Sequence, residues 1–195
     1  DLSHLNLSAA DLSLTRLKGT LFDHSNLKGA RLDGAYIMES RFNNSDLRRA
    51  SFRNVEIEDS NFSYADLSYS EFQDLKITGS DFTAAQFFKT RLFRSDFTAL
   101  NMHNSRWTEA GLYESRMTNV DFTGADLSFT HFVKASFDNV NFFFSDLSRA
   151  DLSRATFKEI ILKDALLYLT NLKWIKIGEE KRDVLAEFCR NLTTA

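Results

Sequence analysis

The sequence predicts an all-β solenoid wound in four-sided coils, and three observations lead to that reading. Every fifth residue from Leu2 to Ile177 is large and apolar, 36 positions without a slip: 16 Leu, 13 Phe, four Ile, two Met and Trp107. Two residues before each of these centres, from Leu5 to Ile175, lie 35 further positions, and 27 of them are Ala, Ser or Thr. Both series also repeat in kind at every fourth pentapeptide.

A period of five suits neither simple template. On a helix every fifth residue drifts around the axis, and on a flat strand it alternates between faces. The pattern closes only if each pentapeptide is one short side of a coil with a bend at each corner. The large residue and the small one two before it then both point inward.

The number of sides comes from the second period. Phe22, Phe42, Phe62, Phe82, Met102, Phe122 and Phe142 form one interior column, aromatic save one. Leu7, Leu27, Leu47, Leu67, Phe87, Trp107, Leu127 and Leu147 form the next, and Leu17, Ile37, Ile57 and Ile77 begin a third. The bulky exceptions at small sites stack too, since Leu100, Val120, Val140 and Ile160 are each 20 apart. Outward charges agree: Glu56, Lys76, Asp96 and Arg116 alternate in sign at this step, as do Asp74, Arg94, Glu114 and Lys134. At the strand spacing of about 4.8 Å these become cross-strand opposite-charge pairs.

The motif resembles that of the pentapeptide-repeat family, A-(D/N)-L-x-x. It stands almost verbatim as Ala65-Asp66-Leu67-Ser68-Tyr69, Ala125-Asp126-Leu127-Ser128-Phe129 and Ala150-Asp151-Leu152-Ser153-Arg154. The resemblance implies a right-handed quadrilateral β-helix over residues 1–177, about nine coils in a rod of about 43 Å. Residues 178–195 form a second unit, read as a short C-terminal α-helix: Val184, Leu185, Phe188, Cys189 and Leu192 recur on one helical face behind Gly178, Glu179 and Glu180. It is expected to cover the end of the rod, with dimerisation through residues 179–192 or a linker as alternatives; a monomer is favoured.

Composition narrows the function. With 24 basic and 27 acidic residues the net charge is −3, too balanced for a basic nucleic-acid surface, so no direct nucleic-acid binding is expected. No apolar run is long enough to span a bilayer. The absence of Pro suits a backbone whose N–H groups are nearly all engaged. The chain opens at Asp1 inside the repeat, without an initiator Met, and reads as processed or excised. The lone Cys189 excludes an internal disulfide and reads as filler on its helical face.

Little in the sequence points to chemistry. A flat-sided rod offers no cleft for converging groups, so the chain is read as non-enzymatic, with no cofactor and no metal. His4 and His24 should stack on adjacent coils, but no Cys or third His joins them, though Asp23 is near. His103 and His131 read as solvated face residues. The repeated Asp residues read as corner hydrogen-bonding groups, and Asn-x-Ser/Thr at Asn6, Asn43, Asn61 and Asn191 follows from repeat composition.

The informative departures are aromatic residues at outward positions. Phe88 and Phe93 lie one side apart on one coil, Tyr113 is 20 beyond Phe93, and Tyr69 precedes them on a neighbouring column. Lys89, Arg91, Arg94 and Arg106 surround them, a composition suited to a protein-interaction hot spot. Phe129, Phe143 and Phe144 form a second outward group. The expected partner is therefore a protein. The family resemblance implies an interaction scaffold, as a domain of a larger bacterial secreted effector that binds a host protein. Its alternatives are a DNA-mimicking, gyrase-protecting protein of the quinolone-resistance type, for which Glu39, Glu56, Glu58 and Asp59 are the acidic cluster, and the recognition domain of an effector ubiquitin ligase. The implied location is the bacterial cytoplasm or the host cell.

Overall fold

In the computed structural model, which describes residues 1–178, the five-residue sides wind into a four-sided β-helix in which each side pairs with the side one coil on, as Asn6 does with Asn26. Face 1 carries the centres Leu2, Phe22 and onward to Leu162; face 2 runs from Leu7, face 3 from Leu12 and face 4 from Leu17 to Ile177. Face 4 is the best-formed sheet, with nine parallel rungs from Arg16–Lys18 to Lys176–Ile177. Face 3 has four: Ser51–Arg53, Glu71–Gln73, Arg91–Phe93 and Gly111–Tyr113. Faces 1 and 2 pair through single bridges such as Asn61↔Asp81 and Asp66↔Gln86. The expected C-terminal helix, with its dimerisation residues, lies outside the described residues.

Every centre from Leu17 to Leu167 is buried, and like stacks on like. The rings of Phe22, Phe42, Phe62 and Phe82 lie nearly parallel at centroid spacings of 4.6, 4.5 and 4.8 Å, the spacing of the rungs. Phe87 stacks on Trp107 at 3.8 Å, and the Trp107 indole N–H donates to Ser105 Oγ, so the largest interior side chain leaves no polar atom unpaired. The ends differ. Leu2, Leu7 and Leu12 are only partly buried, and Leu5, which the repeat places inward, is 46% exposed, as no coil precedes theirs among the described residues.

The corners show how a chain without Pro makes so many bends. Two residues after each centre the backbone takes a positive φ, at Gly19, Gly29, Gly34, Gly79 and Gly124 but otherwise at residues with side chains; from His4 to Trp174 only Glu159 departs. At most corners the centre's carbonyl accepts from the N–H three residues on, as from Ser25 to Phe22 at 3.0 Å, which is a type II turn. The Asp or Asn before the centre tightens that turn by accepting from the N–H two residues ahead, as Asp66 does from Ser68 at 3.0 Å and Asp126 from Ser128 at 3.0 Å. Of the 16 Asp and Asn at this position only Asp96 makes no such bond. The acidic repeat residue is structural.

The corner between faces 4 and 1 changes character along the rod. In its first half the inward N–H groups of Thr20, Ser40 and Ser60 each donate to the hydroxyl one coil on, at 3.1 Å. From coil five the hydroxyls give way to Leu100, Val120, Val140 and Ile160, and the strands run through the corner as Asp96–Asn101, Arg116–Asp121 and Ser136–Asn141. The backbone of the next coil then takes over as acceptor, as Glu159 O does for Val140 N–H at 3.0 Å. The bulky stack thus marks a switch from side-chain to backbone pairing.

The charge columns fare unequally. Arg94 forks onto Asp74 at 2.8 and 2.9 Å, and Lys134 reaches Glu114 at 2.7 Å. Glu56, Lys76, Asp96 and Arg116 stand in register on face 4, yet no ion pair closes among them. Exposed pairs gain little, so register alone does not close them.

Ala84 sits at a corner with φ +56, whereas its neighbour Ala85 is buried at a small site. A left-handed residue with a Cβ costs about 1–2 kcal/mol, more than the extra unfolded freedom of Gly. Ala84→Gly is therefore expected to raise the urea midpoint slightly, and Ala85→Gly to lower it. Equal losses in both would refute the corner assignment.

Candidate protein-interaction face

The outward aromatic residues divide by column. Residues one beyond a centre stand on a flat side, and residues two beyond stand on the left-handed corner. Phe93 and Tyr113 belong to the first kind on face 3, in direct register on adjacent rungs. Tyr69 belongs to the second, on the corner between faces 2 and 3, with φ +62.

Together they bound a trough on face 3 of about 990 Å³, lined along the rungs by Glu71, Gln73, Arg91, Phe93, Tyr113 and His131 and at the corners by Arg49, Tyr69, Lys89, Glu109 and Arg94. Tyr69, Phe93 and Tyr113 are 49, 39 and 39% exposed. Gly111 forms part of the floor. Its column otherwise carries Glu71, Arg91 and His131, and a Cβ there would meet Tyr113 Cε2 at 2.6 Å. The missing side chain makes room for the Tyr113 ring, which lies parallel to the His131 imidazole at 5.9 Å.

A second hollow, of about 730 Å³, opens on face 2 between Phe88, Gln86, Arg106 and Asp126. Tyr69 is the ridge between the two, set edge-on to Phe88 at 5.5 Å and 89°. Phe88 is half-buried. Eight of the predicted residues thus meet in one surface: Tyr69, Phe88, Lys89, Arg91, Phe93, Arg94, Arg106 and Tyr113.

The second aromatic group does not assemble as one. Phe143 and Phe144 pack against each other at 4.4 Å on face 1 and its corner with face 2. Phe129 stands on the far corner of face 2, under the Arg149 guanidinium at 5.4 Å. The sequence did not single out Glu71, Gln73 and Glu109 as parts of the trough, nor Arg49, Gly111 and His131. The last three could have been found by reading one coil away, from Tyr69, Arg91 and Gly111 in turn.

Most charges and rings around the trough are paired. The Asp74 carboxyl lies below its ordinary value because Arg94 hydrogen-bonds to it, against a smaller opposing effect of burial. Glu114 is lowered by the hydrogen bond and charge of Lys134. Lys89 pairs with Glu109 at 3.3 Å, and Arg53 with Glu71. Arg94 also lies over the Phe93 ring at 4.6 Å and Arg49 over Tyr69 at 6.0 Å. The predicted stacking of His4 on His24 is present at 5.1 Å, but no cluster of three metal-ligating side chains occurs among the described residues.

A flat-sided parallel coil with an interior period of five defines a β-solenoid repeat protein. The family description "Pentapeptide repeat region" matches residues 15–82, and "Pentapeptide repeats (8 copies)" matches 90–128 and 121–159. The chain belongs to the pentapeptide-repeat family. Among solved structures it is similar to a trypsin-treated form of QnrB1, a plasmid-mediated fluoroquinolone resistance protein, at 16% identity over 97% of this chain and 95% of that one, with a TM-score of 0.67. It is similar also to HetL, a pentapeptide repeat protein involved in heterocyst differentiation regulation in the cyanobacterium Nostoc sp. strain PCC 7120, at 18% identity over 89 and 87% of the two chains, TM-score 0.58. At such identities the likeness is one of fold. No curated protein sequence matches the chain.

Gly111→Ala should push the Tyr113 ring off His131 while shifting stability by no more than about 0.5 kcal/mol, since the clash is with the far end of a side chain. The His131 ring-proton resonances would lose their ring-current shift; unchanged resonances would contradict the packing. A second expectation concerns acid. Because the folded pKa values of Asp74 and Glu114 lie below their ordinary 3.8 and 4.5, their contribution is complete above those values and is lost as pH falls through the lower folded ones. Asp74→Asn should therefore make the fall in melting temperature below about pH 4 shallower.

Proposed function

We propose that this chain is a non-enzymatic scaffold that binds a partner protein through the trough of face 3 and the Tyr69–Phe88 ridge beside it. The observation that carries the reading is the exposure of Tyr69, Phe93 and Tyr113 around one concavity, ringed by cations, on coils whose other outward positions are mainly polar. Aromatic and Arg side chains dominate binding energy at protein interfaces. Their anchorage favours the role, because the rungs beneath are fixed by the interior stack and the rings by neighbouring charges. The trough's own carboxylates, Glu71 and Glu109, are held in ion pairs, which suits a docking surface better than acid–base work.

Protection of a topoisomerase is the second reading, favoured by the fold shared with QnrB1. Its acidic surface would be Glu56 and Glu58 on face 4 with Glu39 and Asp59 on the next corner. This cluster is partly countered, since Lys18 lies 3.8 Å from Glu39, and Tyr36 occupies Glu58 by donating to it at 2.8 Å. A gyrase supercoiling assay with a quinolone separates the readings, and protection there would put the second ahead.

For the scaffold, a photo-crosslinking residue in place of Tyr113 should capture a partner protein that the same residue at Asn61, on face 1, does not. Phe88→Ser combined with Phe93→Ser should abolish that capture without changing the melting temperature. Undiminished capture would remove face 3 from the interface.

A further inference from the structure

The charges around the trough say what kind of chain fits it, provided that face 3 is the docking surface proposed above. We propose that its occupant is an extended acidic segment of the partner protein, with carboxylates on Arg91 and Arg49 and an apolar side chain against Phe93 and Tyr113.

Four cations line the trough, and two are already engaged. Arg94 is forked onto Asp74 and Lys89 pairs with Glu109. Arg49 touches only the Tyr69 ring, and Arg91 meets no carboxylate, acceptor or ring among the described residues. The column around Arg91 explains its isolation. The residue one rung before it, Glu71, is held by Arg53, and the residue one rung after is Gly111, which offers no side chain. An unpaired guanidinium at the edge of an aromatic hollow presents a planar fork of donors, the complement of a carboxylate.

The backbone decides how the segment binds. Rungs on face 3 pair with rungs on both sides, so this face has no free edge on which to add a strand. Recognition must come from side chains, and an extended chain presents alternate side chains to the trough every ~6.8 Å. A single-stranded nucleic acid would also seek cations and rings, but the rings are poorly placed for it. Arg94 lies over Phe93, His131 against Tyr113 and Arg49 over Tyr69, so each ring has one face already covered rather than open to a base.

The test uses the full chain and a fluorescein-labelled synthetic peptide of about twelve residues, with Glu at alternate positions and Leu and Ser between. Fluorescence polarisation should show binding that weakens with salt and falls about tenfold in Arg91→Glu and in Arg49→Glu. Arg31→Glu, on the same column as Arg91 but outside the trough, should bind as the parent does, and melting curves confirm that each variant is folded. Absence of binding, equal binding of the peptide with Lys for Glu, tighter binding of an oligo-dT of the same length, or indifference to Arg91→Glu would each overturn the proposal. If crosslinking at Tyr113 captures a partner while the acidic peptide fails, the docking surface stands and the acidic occupant falls. If both fail, both fall.

Discussion

Everything in this rod depends on one constraint: after four sides the chain must return directly above itself. The left-handed residue at each corner is what permits this. It turns the backbone so that the next five-residue side starts at right angles, and its own N–H still reaches the carbonyl of the following coil, as Ala84 reaches His103 at 2.8 Å. A left-handed backbone is unfavourable for residues with a Cβ. The chain repeats it at nearly every corner because the turns are held by the coil beyond, at most corners also by the carbonyl of the centre, and, where Asp or Asn precedes the centre, by that side chain. Interior stacking supplies the rest of the driving force, so neither corner nor core is stable without its neighbours.

This constraint separates the two kinds of position on the chain. Inward columns admit large apolar side chains that stack along the rod, as the parallel Phe rings do, and most small sites admit a hydroxyl or methyl that closes the corner. Outward columns are free of that demand. A side chain there meets the equivalent side chain one rung above and one below, so many of its interactions are ladders: Asp74 with Arg94, Glu114 with Lys134, Arg49 with Tyr69. Others run diagonally between columns, as from Arg53 to Glu71, and in either case a surface feature is assembled from consecutive coils. The trough follows that rule, since Phe93 and Tyr113, Arg91 and Gly111, and Tyr69 and Lys89 are each one coil apart.

The interior was legible in the sequence because burial and stacking act on every repeat alike. Leu100, Val120, Val140 and Ile160 could be read as a stack, but the exchange of hydroxyl for backbone acceptors behind it could not, since it depends on which atom the inward N–H meets. The outward surface was legible only in part. Phe88, Phe93 and Tyr113 stood out as aromatic residues among polar ones. Gly111 did not, because its contribution is the absence of a side chain in a column of long ones. The pairing of charges was also hidden. The coil period puts Glu56 and Lys76 side by side just as it does Asp74 and Arg94, yet only the second pair closes.

That last difference bears on where recognition can occur. A closed ladder such as Asp74–Arg94 neutralises its charges and fixes the side chains, which makes good rim but a poor handle. An open position such as Arg91 keeps its charge and its donors. It is open for a reason particular to this column: Arg53 takes the carboxylate before it, and Gly111 removes any partner after it. The same glycine lets Tyr113 lie down against His131 and hollows the face. One small residue at an outward site therefore both shapes the concavity and leaves its central cation unanswered, while the interior beneath it, Leu92 on Leu112, continues the repeat unchanged.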